Sequence, residues 1–453
     1  MIGSRHQERV KHQARHVWWP RWRRRALFLV GGIAVGALAV AMAILADRAQ
    51  GVFHQALARW PWSPFVLSPL GFALAAWLTR TFFPGAQGSG IPQVIAAHKM
   101  EDLPVRARLV SVRIAIGKIV LLLLGLVCGA SAGREGPTVQ VGASTMFIFG
   151  RLEPHRQPGL MLAGSAAGIA AAFNAPLAGI IFGIEEMSRS FEVRASGLVL
   201  GTVIAAGLTS LALVGDYTYF GATSSTLPVG SDWFAVLVAG VVCGLAGGVF
   251  SRILIVFGRG IAGPFGRAVK ARPVLFAAVC GLLLALLGAG SNNTIFGTGY
   301  EQAQAILRGK GDITPVFGPL KLLATAVSSV SGIPGGIFSP SLAVGAGIGR
   351  DLAPLMPGVP LSVWAVLCMT AYLTGVVQAP LTSFVIVSEM TENHALVIPI
   401  MLASLVAQGA SRLVCPEGVY HALSGQFMPA SRLHESSEET DGEGNEPSVS
   451  TAH

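Results

Sequence analysis

The pentapeptide Gly133-Arg134-Glu135-Gly136-Pro137 puts a charge pair and two glycines inside an apolar stretch running from 114 to 150. A carboxylate within a membrane segment costs about 2.5–3.5 kcal/mol on insertion scales, which is why such residues mark ion or proton pathways. The glycines permit unusual backbone angles, and Pro137 suits the first turn of a new helix. Glu135 therefore reads as sitting on a helix break, where free backbone N–H groups can face an anion. The alternative is a Glu135–Arg134 ion pair in a loop outside the bilayer, and the long apolar flanks weigh against it. A second break is expected at Gly335-Gly336-Ile337-Phe338-Ser339-Pro340, opening a helix with Ile337 and Phe338 at or just before its N-terminus. Gly88-Ser89-Gly90 adds a hydroxyl on a backbone that glycine allows to approach closely. A desolvated halide needs such neutral donors and partial charges, since a lysine would bind it too tightly for release. Glu185 and Glu186 end another apolar run. Helix neighbours point about 100° apart, so one could face a proton route while the other faces protein or cytosol. Ordinary interfacial charges beside Arg189 are the other reading.

The elements that must hold these residues are membrane helices. Of 453 residues, 52% are hydrophobic and 12% charged, against about 25% charged in soluble domains. The 56 glycines suit helices that pack closely or break in a membrane. Much of the +9 net charge lies in the first 25 residues, among Trp18, Trp19, Trp22 and Arg23-Arg24-Arg25. That pattern argues for membrane topology with a cytoplasmic N-terminus, not for nucleic acid. The five cysteines have neither metal-ligand nor redox spacing, so no metal or cofactor is expected. No cleavable signal pattern is visible. No Gly-x-Ser-x-Gly or His-Glu-x-x-His pattern supports a membrane enzyme, and a cation or metabolite carrier would need more buried charge than the sequence displays.

A basic N-terminus over 1–25 precedes a first span at 26–46, then a less regular one near 64–83. Three basic loops follow, around Lys99 to Arg113, Arg151 with Arg156, and Arg189 with Arg194. If all are cytoplasmic, the chain must go out and back between them. The stretch 157–187 then allows about 15 residues per pass, or about 23 Å, short of a hydrocarbon core of about 30 Å. Some helices must be short, tilted or re-entrant, turning near Gly133–Pro137 and Phe173–Pro176. Further spans are expected at 231–256, 273–290, 317–330, 362–388 and 395–410. Residues 426–453 read as an acidic disordered tail. The halves echo each other. Pro137-Thr-Val-Gln-Val-Gly-Ala returns as Pro340-Ser-Leu-Ala-Val-Gly-Ala, and Ala175-Pro-Leu with Glu185 returns as Ala379-Pro-Leu with Glu389. The expected fold is all-α: two inverted repeats of tilted and broken helices, near 64–215 and 231–410, meeting at mid-depth.

These residues resemble the CLC family of chloride channels and chloride/proton antiporters. The resemblance rests on Gly88-Ser-Gly-Ile-Pro92, Gly133-Arg-Glu-Gly-Pro137, Ala171-Ala-Phe-Asn-Ala-Pro-Leu-Ala-Gly179 with Glu185-Glu186-Met187, and Gly336-Ile-Phe-Ser-Pro340, in the family's order. It covers 26–425. It implies that Ser89 and the amides of Ile337 and Phe338 hold a central chloride, closed from inside by Tyr420. Glu135 would be the gating and proton glutamate, and Glu186 the inner proton glutamate that passive channels lack. Expected partners are chloride, protons and the bilayer, in a homodimer with one pore per subunit in a bacterial inner membrane. A passive voltage- or pH-gated chloride channel is the alternative. Ser89 argues against the fluoride-exporting branch. Two departures stand out. Gln93 and Ile95 lie where family antiporters often carry acids, which could alter how Glu186 is held. Ser339 lies where alanine is common, with a mild effect expected.

Overall fold

A bilayer offers no water to unpaired backbone, so an apolar chain of this length must satisfy itself as helices. The computed structural model describes residues 2–100, 102–187, 196–215, 218–310, 313 and 315–428, with the side chains of 2–21, 24 and 196 left aside. The basic loop around Arg189 and Arg194 and the expected tail beyond 428 lie outside the described residues. Among the described residues, seven helices are long and apolar enough to cross a membrane. No strand occurs there; two isolated backbone bridges are the exception.

The first half runs α1 (Ile2–Arg59), α2 (Pro64–Phe82), α3 (Ile91–Lys99), α4 (Leu103–Ala107), α5 (Val112–Val127), α6 (Glu135–Phe149), α7 (Gln157–Phe173), α8 (Pro176–Phe182) and α9 (Ser196–Val214). A wide turn, Gly183–Met187, extends α8. The second half runs α10 (Phe234–Arg259), α11 (Gly263–Ala271), α12 (Pro273–Gly290), α13 (Tyr300–Leu307), α14 (Phe317–Val330), α15 (Phe338–Leu352), α16 (Leu361–Val377), α17 (Pro380–Thr391), α18 (Val397–Val414) and α19 (Val419–Ser424). Two expected spans change. The first continues to Arg59 instead of stopping near 46, because nothing from Asp47 to Arg59 breaks a helix. The stretch 362–388 is two helices, because Gln378 turns left-handed (φ 58°) and Pro380 starts a new first turn.

The repeat extends beyond the sequence echo. α6 and α15 each have 15 residues, and α7 and α16 each have 17. α7 and α16 both end on a left-handed residue, Asn174 or Gln378, before an Ala-Pro start. At about 22 Å, α6 and α15 are too short to span. They are buried along almost their whole length, whereas α1, α2, α5, α9, α12 and α18 turn apolar side chains outward. Close approach of backbones makes this core dense. A Cβ on Gly142 would lie 2.3 Å from the Gly164 carbonyl, and one on Gly345 would lie 2.4 Å from the Cys368 carbonyl.

Buried charge is more plentiful than the sequence suggests. Lys118 and Lys321 are fully buried, and Arg106 and Arg134 nearly so. Each cation finds hydrogen-bond partners nearby. The Lys118 ammonium donates to the carbonyls of Gln87 (3.3 Å) and Gly88 (2.9 Å). That of Lys321 donates to Ile295 and Gly297 (both 2.7 Å). These groups brace loops and offer no cation-binding site. All five cysteines are buried and free.

The halves also cap each other. Glu185 accepts from the N–H groups of Leu381 (3.1 Å) and Thr382 (2.6 Å) at the start of α17. Glu389 accepts from Leu177 (3.1 Å) and Ala178 (2.6 Å) at the start of α8. A carboxylate at a helix N-terminus satisfies orphan donors and meets the dipole's positive end. Replacing Glu389 by alanine should cost about 1 kcal/mol and lower the thermal midpoint in detergent, with chloride binding unchanged. Calorimetric titration of chloride beside a melting curve tests both halves of that statement.

Candidate functional site

Two backbone bridges bring the breaks together. Gly133 and Gly336 exchange both hydrogen bonds, at 2.7 and 2.8 Å, in an antiparallel pair. Gly88 N–H donates to Ile333 (3.2 Å), and Gly335 N–H donates to Gly88 (3.0 Å). The starts of α3, α6 and α15 therefore meet. Gly90 takes a left-handed φ of 97° at the head of α3. Gly136 must lack a side chain, because a Cβ there would lie 2.4 Å from Ser89 Oγ. Ile337 caps α15 and Phe338 is its first residue, so their N–H groups have no partner within the helix.

Tyr420 enters this junction from α19. It is 1% exposed, and its ring stacks on Phe338 with centroids 5.9 Å apart. It lies within electrostatic reach of Ser89, Glu186 and Glu135. The Ser89 and Tyr420 hydroxyls are buried without a well-formed hydrogen bond among the described residues. Two buried hydroxyls close to each other, beside a helix start whose first amides have no partner within the helix, are a donor set that suits a small anion.

Glu135 is completely buried as the first residue of α6. One carboxylate oxygen accepts from the Ser339 hydroxyl at 2.5 Å, and the Tyr219 hydroxyl lies 3.4 Å from Ser339 Oγ. Its other oxygen has no partner among the described residues. The reading of Glu135 as an exposed ion pair with Arg134 is overturned. Arg134 turns away, donating to Asp47 (2.7 Å) and the Ala43 carbonyl (2.8 Å). Ser339 is also more than a mild departure, since its hydroxyl donates directly to the Glu135 carboxylate.

A cavity of about 550 Å³ is lined by Asp47, Arg134, Tyr219 and Tyr300. A second, of about 370 Å³, is lined by Arg80, Lys270, Ser89, Ile337 and Tyr420. Glu135 lines neither, but its sequence neighbour Arg134 lines the first and Ile337, at the start of α15, lines the second.

The paired glutamates separate as the 100° rule requires. Glu185 caps α17, and Glu186 is 3% exposed beneath α19. Its carboxylate lies 3.6 Å from His421 Nε2. His421 was not singled out in the sequence, because 235 residues separate it from Glu186 and no local pattern connects them. Lys118 and Lys321 could have been found by extending the repeat, since they stand 203 residues apart, as do Glu135 and Phe338.

A family model described as voltage gated chloride channel matches residues 71–412. The chain is 33% identical over 434 residues to the H(+)/Cl(−) exchange transporter ClcA of Yersinia pseudotuberculosis serotype IB, covering 88% of this chain and 86% of that protein. The chain belongs to the voltage-gated chloride channel, or CLC, family. ClcA of Klebsiella pneumoniae strain 342 is 34% identical over 377 residues, covering 77% of this chain and 75% of that one. Among solved structures, a slow cyanobacterial Cl−/H+ antiporter superposes with a TM-score of 0.74 at 26% identity, over 89% of this chain and 97% of that one. A CLC-type fluoride/proton antiporter superposes at 0.72 and 24% identity, over 88% and 97%. That last likeness shows the CLC fold alone.

Removing the Ser339 hydroxyl tests the junction. A hydrogen bond to a charged group is worth about 1.5–3 kcal/mol, so Ser339→Ala should let chloride displace the Glu135 carboxylate more easily. Apparent chloride affinity by calorimetry should rise about tenfold; an unchanged affinity would show that the contact carries no weight.

Proposed function

We propose that the protein is a secondary active transporter that exchanges chloride for protons across the membrane. The observation that carries this reading is Glu135: a fully buried carboxylate, itself an anion, occupying the meeting point of two helix N-termini. Chloride binds at Ser89 and Tyr420 with the amides of Ile337 and Phe338. Glu135 competes with it. When protonated, Glu135 loses its attraction to the dipole ends and swings toward the cavity of Tyr219 and Arg134, and chloride takes its place. Glu186 relays the proton to and from the cytosol. The names of the ClcA relatives support exchange. Against a passive channel stands Glu186, since a buried carboxylate away from the anion cavities has no task in simple conduction.

The cavity carrying Arg80, Arg259 and Lys270 faces the cytosol on this reading, as the positive-inside rule favours. The N-terminus lies on the same side, and the membrane is a bacterial inner membrane. A homodimer with one path per chain is what membership of the family implies.

Liposomes loaded with chloride, with voltage clamped by potassium and valinomycin and no pH gradient, test the mechanism. Chloride efflux should drive protons inward. Glu186→Gln should abolish the pH change and spare chloride flow, and Glu135→Gln should uncouple as well. Chloride flow without proton movement in the unsubstituted protein would make it a channel.

A further inference from the structure

We propose that His421 loads Glu186 with its proton and takes it back, forming the inner end of the proton route in this chain. The inference rests on Glu186 being the inner proton glutamate. Its own ground is the contact: His421 Nε2 lies 3.6 Å from Glu186 Oε1 and 3.1 Å from the Glu186 carbonyl oxygen. A small rotation of the ring turns the first approach into a hydrogen bond. The imidazole is 16% exposed and the Glu186 side chain 4%, so the histidine is the more accessible of the two. In the loading step, the imidazolium gives its Nε2 proton to the carboxylate. Neutral imidazole and a carboxylic acid result, and the imidazole regains a proton from water.

Gln93 and Ile95 cannot take this part. Gln93 donates its amide to the carbonyls of Gly85 (3.3 Å) and Gln87 (2.6 Å), and Ile95 is apolar and 2% exposed. The elements packed against α19 bring His98 and Lys99 on α3, Cys243, Arg252 and Arg259 on α10, and Cys368 and Tyr372 on α16. Arg252 donates to the Val414 carbonyl and Arg259 pairs with Glu417. Tyr420 precedes His421 on the same helix, and residues one apart point about 100° apart. Tyr420 lines the anion cavity and His421 does not. One short helix thus gives one residue to each route.

The test compares His421→Gln with Glu186→Gln in liposomes at symmetric pH values from 5.5 to 8, reading chloride and proton flux together. Glutamine keeps an N–H for the Glu186 carbonyl but does not titrate. Chloride flux should stay within about twofold while the proton-to-chloride ratio falls about tenfold, the low end of what positioned proton transfer contributes being larger still. The step in proton flux between about pH 6 and 7, where histidine titrates, should disappear. A normal ratio and pH profile in His421→Gln, with protons stopped in Glu186→Gln, would overturn the role of His421 and leave that of Glu186 standing. Proton flux surviving in Glu186→Gln would remove both. If His421→Gln loses chloride flux as well, the smaller His421→Ser serves. Chloride and proton flux falling in proportion in both variants would make the residue purely structural and end the proposal.

Discussion

Two backbone hydrogen bonds, from Gly133 to Gly336 and back, set the terms for the centre of this protein. They lay the first turns of α6 and α15 side by side, each presenting the equivalent of about +0.5 charge. Two such ends in a water-poor interior repel one another unless something negative lies near both. The Glu135 carboxylate supplies that charge, held by the hydroxyl of Ser339 on the opposite helix. An anion of similar size would satisfy the same need. On the proposed mechanism, competition between the carboxylate and chloride follows from placing two helix N-termini together, and the glycines are what let them approach. A Cβ on Gly336 would lie 3.0 Å from the Gly133 carbonyl, the Gly136 amide and Pro137.

The buried lysines serve the same arrangement from a distance. Lys118 holds the carbonyls of Gln87 and Gly88, just ahead of α3, and Lys321 holds those of Ile295 and Gly297, just ahead of α13. Each repeat thus uses one ammonium to fix the loop before a short helix. In the first repeat that loop carries Ser89; in the second it leads to Gly299 and Tyr300 on the opposite cavity. Each lysine is engaged by backbone oxygens. The proposed anion site is then left with partial charges and hydroxyls, which bind weakly enough for release.

Much of this was legible because the informative residues break patterns. Glycine pairs and a carboxylate inside apolar runs located the starts of α6 and α15, and the turn expected at Phe173–Pro176 located that of α8. The end of α1 was not legible, since an amphipathic continuation past Asp47 looks like a loop when only hydropathy is read. The division at Gln378 was missed because a lone glutamine gives no hint of a left-handed turn. Ser339 was undervalued for a different reason. Its importance depends on a carboxylate 204 residues away, and only the antiparallel glycine pair brings the two together. Spacing could separate Glu185 from Glu186 but could not say which was which. The reciprocal caps, a tertiary relation between α8 and α17, show that Glu185 is the one that faces protein.

Exchange requires that protons and anions share one gate yet reach it from the inner side by different paths. A common inner path would let chloride, the more abundant species, crowd the proton's relay, and a relay carboxylate in that path would repel the anion. On the proposed mechanism, that separation is built from helix geometry. Tyr420 and His421 are consecutive, and the turn between them sends one toward Ser89 and Phe338 and the other toward Glu186. The wide turn that ends α8 makes a second division, sending Glu185 to α17 and Glu186 inward. Both divisions use adjacent residues on a single turn, and on the proposed mechanism this lets the two routes start on different faces and still converge on Glu135.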